Sequence, residues 1–190
     1  MATVLLFHHA HGQTTGFRAF ADQLQGAGHA IHAPDLYDGN TFSDLDEGVA
    51  YAKQVGFSEI IRRGSAAAEG LPADIVYAGF SLGVLPAQSL AQTRPGARGA
   101  ILFSACVPPS EFGGPWPEGV SLQVHMMDAD PWAEEDRPVA EALVAEVAGA
   151  ELLLYPGSGH LFADASLDDY DEQAAALLKE RTLAFLQRVG

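Results

Sequence analysis

Cysteine is nearly absent from this chain. Only Cys106 stands among 190 residues, so no intrachain disulfide can form and no zinc site built on several cysteines is available. Basic residues are scarce as well: 10 Lys and Arg against 25 Asp and Glu give a formal net charge of -15. A surface that negative repels phosphate backbones and anionic headgroups, which argues against nucleic-acid and membrane-surface partners. No apolar run approaches the roughly 18 residues needed to cross a bilayer. Met1-Ala2-Thr3 leads straight into Val4-Leu5-Leu6-Phe7, without the charged segment, apolar core and cleavage site of a signal peptide. A cytoplasmic location is the expectation. Repeats, low-complexity tracts and linkers are missing too. What remains, 48% hydrophobic and 18% charged, has the composition of a globular protein, and the length suits one domain over residues 1–190.

Short apolar runs alternate with longer amphipathic stretches, the signature of βαβ units around a parallel sheet. The runs are 3–8, 29–33, 74–78, 99–104, 121–126 and 151–155. None alternates cleanly between polar and apolar, as expected of strands covered on both faces. Between them, Phe17, Phe20, Ala21 and Leu24 recur at helical spacing before Gly26 and Gly28. Two helical pieces fill 44–70 with a break near Gly56. A further helix starts about Asp136 and Pro138 and carries Val139, Leu143, Val144 and Val147 toward Gly149. The last helix is expected to bury Tyr170, Ala174, Leu177, Leu178 and Phe185 on one side. The fold class predicted is α/β: about six mostly parallel strands, helices on both faces, and no cap domain.

The apolar run ending at Ala78 is followed by Gly79-Phe80-Ser81-Leu82-Gly83 and then a helical stretch from Val84 to about Gln92. This is G-x-S-x-G between a strand and a helix, the context that gives the pattern its meaning. A side chain at the tip of so sharp a turn sits on strained backbone, and the residues two before and two after approach closely. Glycine at both positions removes the Cβ atoms that would clash. The turn also places Ser81 at a helix N-terminus, where the Leu82 N–H can hold a developing oxyanion.

A serine hydroxyl needs a neighbouring base to become a nucleophile at neutral pH. The expected base follows the last strand, where Pro156-Gly157-Ser158-Gly159-His160 forms a loop able to lean over the strand ends. His160 fits the chain order Ser, acid, His. The acid that holds the imidazole in one tautomer should follow the strand 121–126. Asp128, Asp130, Glu134, Glu135 and Asp136 all lie there. Asp130 precedes Pro131, which stiffens the backbone, and Trp132, which can shield a carboxylate; Asp128 is the alternative. A second oxyanion donor is expected in the loop after the first strand, at Ala10, with His9 or His11 as alternatives. His8, His9 and His11 also invite a metal site, but neighbours in a strand point to opposite faces and no carboxylate adjoins them. No metal or cofactor is expected. Cys106 reads as a small packing residue.

Together these segments resemble the dienelactone hydrolase family over nearly the whole chain. The matching stretches are Leu5-Leu6-Phe7-His8-His9-Ala10-His11-Gly12, Ala33-Pro34-Asp35-Leu36-Tyr37, Gly79-Phe80-Ser81-Leu82-Gly83, Asp128-Ala129-Asp130-Pro131-Trp132 and Gly159-His160-Leu161-Phe162. The resemblance favours Asp130 over Asp128, and it implies an α/β-hydrolase sheet without the first two strands of larger relatives. Two positions depart from the family pattern. Ser81 stands where those enzymes use cysteine, and His9 stands where they carry a glutamate that interacts with it.

The function expected is hydrolysis of a small ester or lactone through an acyl-enzyme on Ser81, in a monomer or homodimer. The alternatives are a thioesterase, peptidase or perhydrolase on the same residues, and a non-catalytic binding module. With no segment long enough for a lid, an open, partly apolar cleft is expected, flanked by the proline-rich stretch 105–119 with Phe112 and Trp116.

Overall fold

Six apolar runs become six strands in the computed structural model, which describes all 190 residues. These are β1 (Thr3–Phe7), β2 (Ala30–His32), β3 (Val76–Phe80), β4 (Gly99–Phe103), β5 (Ser121–Met127) and β6 (Glu151–Tyr155). They form one sheet in the order β2-β1-β3-β4-β5-β6, with every neighbouring pair parallel. The helices are α1 (Thr15–Gly26), α2 (Leu45–Val55), α3 (Phe57–Ala67), α4 (Val84–Thr93), α5 (Asp136–Glu146) and α6 (Glu172–Val189).

The strands are apolar throughout because both faces are covered. Leu5, Phe7, Tyr77, Ala100, Leu102, Leu122 and Val124 point to a core closed by helices α2 to α5. Their neighbours in sequence, Val4, Leu6, Val76, Ala78, Ile101 and Phe103, point to a second core closed by α1 and α6. Three helix starts are capped by side chains: Thr14, Asp44 and Asp171 accept from the N–H groups of Phe17, Glu47 and Ala174. The glycine at 56 separates α2 from α3, as its position in the sequence implies. No helix is long and apolar enough to cross a membrane.

Three expectations need correction. β3 does not stop at Ala78 but runs through Gly79 and Phe80, because both residues pair with β4 and leave only Ser81 at the tip. Tyr170 precedes α6 and is 40% exposed, and Leu177 is 39% exposed. The face of α6 that meets the sheet is instead Ala174, Leu178, Thr182, Phe185 and Leu186. Trp116 does not flank a cleft over the strand ends; it is buried, and its indole N–H donates to the Val120 carbonyl at the start of β5.

The strand order reverses between β1 and β3. The crossover through α1 leads from β1 to one edge, and all later strands add to the other side. In an open parallel sheet, the loops leaving two strands on either side of such a reversal diverge and leave a crevice at their carboxyl ends. Here those loops begin at His8 and Ser81.

Burial sets the charge state of two core histidines. His125 lies fully buried between the Tyr155 hydroxyl (2.7 Å) and Gln123 Oε1 (2.9 Å). Desolvation, with Arg181 nearby, lowers its pKa to about 3. His8 donates from Nδ1 to the His9 carbonyl and accepts the Leu36 N–H at Nε2, and burial lowers its pKa to about 4. Both rings are neutral in the fold, whereas the unfolded chain protonates them below about 6.5. Their stabilising contribution is therefore present at neutral pH and is lost as the pH falls from about 6.5, at up to about 1.4 kcal/mol per pH unit for each ring. Imidazole nitrogen NMR should find at least two of the seven histidines still neutral at pH 5. Titration of every histidine near 6.5 would contradict this.

Candidate active site

The turn between β3 and α4 is the sharpest feature of the backbone. Ser81 has a φ of 48°, in the left-handed region that a residue with a Cβ seldom adopts. A Cβ on Gly79 would collide with the Gly83 carbonyl, so the turn closes only with glycine there. Gly83 in turn lies against the end of β1: a Cβ on it would fall 2.5 Å from the Phe7 carbonyl oxygen and 2.7 Å from that of His8. The same two glycines that let the chain reverse also press the turn onto the neighbouring loop. Ser81 and Leu82 remain partly exposed. Both belong to a 3₁₀ turn, Ser81–Gly83, at the head of α4.

Two side chains from distant loops meet Ser81. His160 Nε2 lies 2.8 Å from Ser81 Oγ, and His160 Nδ1 lies 2.6 Å from Asp130 Oδ2. A carboxylate only accepts, so Nδ1–H donates to Asp130 and Nε2 is left to accept the serine O–H. Asp130 is buried, and its other oxygen accepts the Trp132 N–H at 2.9 Å. Asp128 is exposed and turns elsewhere: Oδ1 accepts the Gly157 N–H at 3.0 Å. Asp136 accepts the Cys106 N–H at 3.1 Å, with burial raising its carboxyl above the usual carboxylate value. Glu134 and Glu135 are exposed. Cys106 is buried, and burial with Asp136 nearby pushes its thiol up to about 12, which leaves it inert.

The histidines after β1 go to separate partners. His8 serves β2's outgoing chain, as above. His9 is buried, with Nε2 2.8 Å from Asp164 Oδ2. His11 Nδ1 lies 2.8 Å from the Phe42 carbonyl, to which it donates. Ala10, between them, is buried, and its carbonyl is in close contact with Gly48 of α2. Helix α2 can approach the loop this closely because residue 48 has no side chain.

Two anchoring residues carry no motif that a reading of the sequence could have found. Asp164 is buried and takes hydrogen bonds from His9, from the Thr14 hydroxyl, and from the Ser166 hydroxyl (2.6 Å) and N–H (2.9 Å). Burial alone would raise its carboxyl; the bonds from His9, Ser166 and Thr14 outweigh that and hold it below the ordinary carboxylate range. His9 is held neutral chiefly by burial. This cluster ties the loop after β1 to the loop after β6. Ser104, at a φ of 61° just beyond β4, donates its hydroxyl to the His160 carbonyl at 2.6 Å. His160 is thereby held at its backbone by Ser104 and at its ring by Asp130.

A parallel six-stranded sheet with this turn at its reversal point is the α/β-hydrolase architecture. The chain belongs to the dienelactone hydrolase family, whose model matches residues 1–190. It is accordingly an ester hydrolase by family. Comparison with curated proteins gives no match. Among solved structures, a dienelactone hydrolase-like promiscuous phosphotriesterase from metagenomic libraries is similar, with a TM-score of 0.77 and 19% identity over 100% of this chain and 87% of that one. A dienelactone hydrolase from Anabaena variabilis gives 0.70 and 15% over 100% and 87%. A cold-adapted esterase from an Arctic intertidal metagenomic library gives 0.63 and 18% over 95% and 82%. At such identities these likenesses speak for the fold.

Removing the Asp164 carboxylate strands the buried His9 Nε2–H and the Thr14 hydroxyl. Each buried donor left without its charged acceptor costs about 1–3 kcal/mol. Urea denaturation of Asp164→Ala should show a loss of that order. A loss under about 1 kcal/mol would mean the cluster does not brace the two loops.

Proposed function

We propose that the chain hydrolyses small carboxylic esters or lactones through an acyl-enzyme on Ser81. The observation that carries this reading is the unbroken line of hydrogen bonds from Ser81 Oγ through His160 to Asp130. Ser81 Oγ attacks the carbonyl carbon while its proton passes to His160 Nε2. The tetrahedral intermediate collapses, the carbon–oxygen bond to the alcohol breaks, and His160 returns the proton to the leaving oxygen. Water then attacks the acyl group, giving its proton to His160, and the carboxylic acid leaves as Ser81 regains its hydrogen. Asp130 keeps Nδ1 protonated and stabilises the ring when it is charged.

The oxyanion falls to the N–H groups of Leu82, at the head of α4, and Ala10, in the loop that Gly48 and Gly83 press into place. Each such donor is worth on the order of 10²–10³ in rate. The left-handed backbone at Ser81 supports this reading, because strain of that kind persists where function requires it. The family match supports it too, as does the partial exposure of Ser81, which suits a substrate that arrives without a lid opening. Residues 1–190 serve the site as one domain.

A serine in the place of the family's usual cysteine makes the reaction depend more on its base, since an alcohol is far less acidic than a thiol. Ser81→Ala should lower kcat on short-chain aryl esters by about 10⁴-fold or more, and Asp130→Asn by about 10⁴-fold. Retained activity in folded Ser81→Ala would remove Ser81 from the mechanism.

A further inference from the structure

The two edges of the sheet are not alike. β2 is only three residues long, Ala30–His32, and Pro34 follows soon after. Shortness and proline are usual ways of blunting an edge against other strands. β6 has neither. It pairs with β5 alone, in unbroken register from Glu151 beside Gln123 to Tyr155 beside Met127. Its middle is Leu152-Leu153-Leu154, and all three leucines are half-buried, unlike the fully buried strands β3 and β4.

The main chain of this edge is complementary to itself. The Tyr155 carbonyl accepts the Asp128 N–H at 2.8 Å and the Gly157 carbonyl accepts the Ala129 N–H at 2.9 Å, so the odd-numbered residues turn their main-chain groups toward β5. Successive residues of a strand alternate in this respect. The N–H and C=O groups of Leu152 and Leu154 therefore point away from the sheet, where no loop of the chain bonds them. Consider a second copy laid antiparallel, with a two-fold axis at Leu153. Leu152 of each chain then stands opposite Leu154 of the other, and each of these pairs exchanges both of its N–H to C=O bonds.

Charge agrees with this register. Leu153 and Tyr155 lie on the α6 face of the sheet, as does Glu151, which accepts from Arg188 of α6. The pairing sets Glu151 of each copy opposite Tyr155 of the other, with Leu153 opposite itself. Arg181 of α6 lies 5.1 Å from the centre of the Tyr155 ring, and its Nη1 has no hydrogen-bond partner. Glu151 accepts from Arg188 and Gln123 through Oε2 alone, which leaves Oε1 free. A carboxylate oxygen with no donor thus meets an underused guanidinium, and the symmetry repeats the match. We propose that β6 is the interface between two copies of this chain, whose sheets join there into one. The axis runs through the sheet, so the strands of the two copies run in opposite directions and their Ser81 turns open at opposite ends. The interface does not rest on the Ser81 reading.

The test follows association and amide exchange in the same samples. Sedimentation equilibrium of the wild type should show an average mass that rises with concentration toward twice that of one chain. Over the same range, hydrogen exchange read by NMR should slow at the Leu152 and Leu154 amides. The Leu153 and Tyr155 amides, which face β5, should exchange slowly at every concentration. Leu153→Lys sets two cations face to face at the axis and should give a folded monomer with the far-UV circular dichroism of the wild type. Arg181→Gln leaves the strand untouched and should weaken association about fivefold, because two partly exposed ion pairs are lost per dimer. It supplies the variant test should Leu153→Lys fail to fold. A wild type that stays monomeric up to its solubility limit overturns the proposal. So does a dimer whose Leu152 and Leu154 amides exchange as fast as in the monomer, or one that folded Leu153→Lys forms equally well. Unchanged association in Arg181→Gln overturns the register centred on Leu153.

Discussion

The close approach of Gly79 to Gly83 is the contact on which the rest of the site depends. It exists only because neither residue has a Cβ, and it forces Ser81 into left-handed backbone at a φ of 48°. Such a conformation costs of order 1–3 kcal/mol and persists only where the surroundings hold it. The holding is done by β3, which pairs with β4 up to Phe80, and by α4, which starts at once on the other side. The strain thus has rigid elements at both ends, and the hydroxyl is presented above the sheet rather than along it.

Around that turn the protein spends its buried polar groups on fixing loops rather than on adding core. His160 is fixed by Asp130 at its ring and by Ser104 at its carbonyl. The loop after β1 is fixed by Gly83 beneath, Gly48 beside and the Asp164 cluster across. Two of the three neighbouring histidines in that loop are neutral hydrogen-bonding parts, and burial keeps them so. His11, the third, gives its Nδ1–H to the Phe42 carbonyl. Three chemically equal side chains therefore do different work, set only by what each ring nitrogen meets.

The sheet and its helices were legible in the sequence because their causes are local. Strands covered on both faces leave unbroken apolar runs, helices leave a repeat of three to four, and Gly56 leaves a break. Tyr170 misled because the helix starts only after it, and Leu177 because apolar character marks a helix face only where the helix meets something, and there α6 faces solvent. The turn at Ser81 and the position of His160 were legible from spacing. Asp130 was separable from Asp128 only through the family resemblance, since both lie in the same short loop and what divides them is direction: one toward His160, the other toward Gly157. Asp164 was not legible at all. It meets His9 across 155 residues of chain, and its neighbourhood, Ala163 to Ser166, reads as an ordinary loop. Ser104 was hidden for the same reason, and Trp132 was expected to shield a carboxylate when half of it lies open.

The central claim is that a covalent acyl group forms on Ser81 during turnover. Rapid acid quench during hydrolysis of a p-nitrophenyl ester, followed by mass measurement of the intact chain and its peptides, tests it directly. The account predicts an acyl adduct on the peptide containing Ser81, accumulating within the first turnover and absent from Ser81→Ala. Turnover with no adduct at any time, or an adduct on another residue, would contradict it.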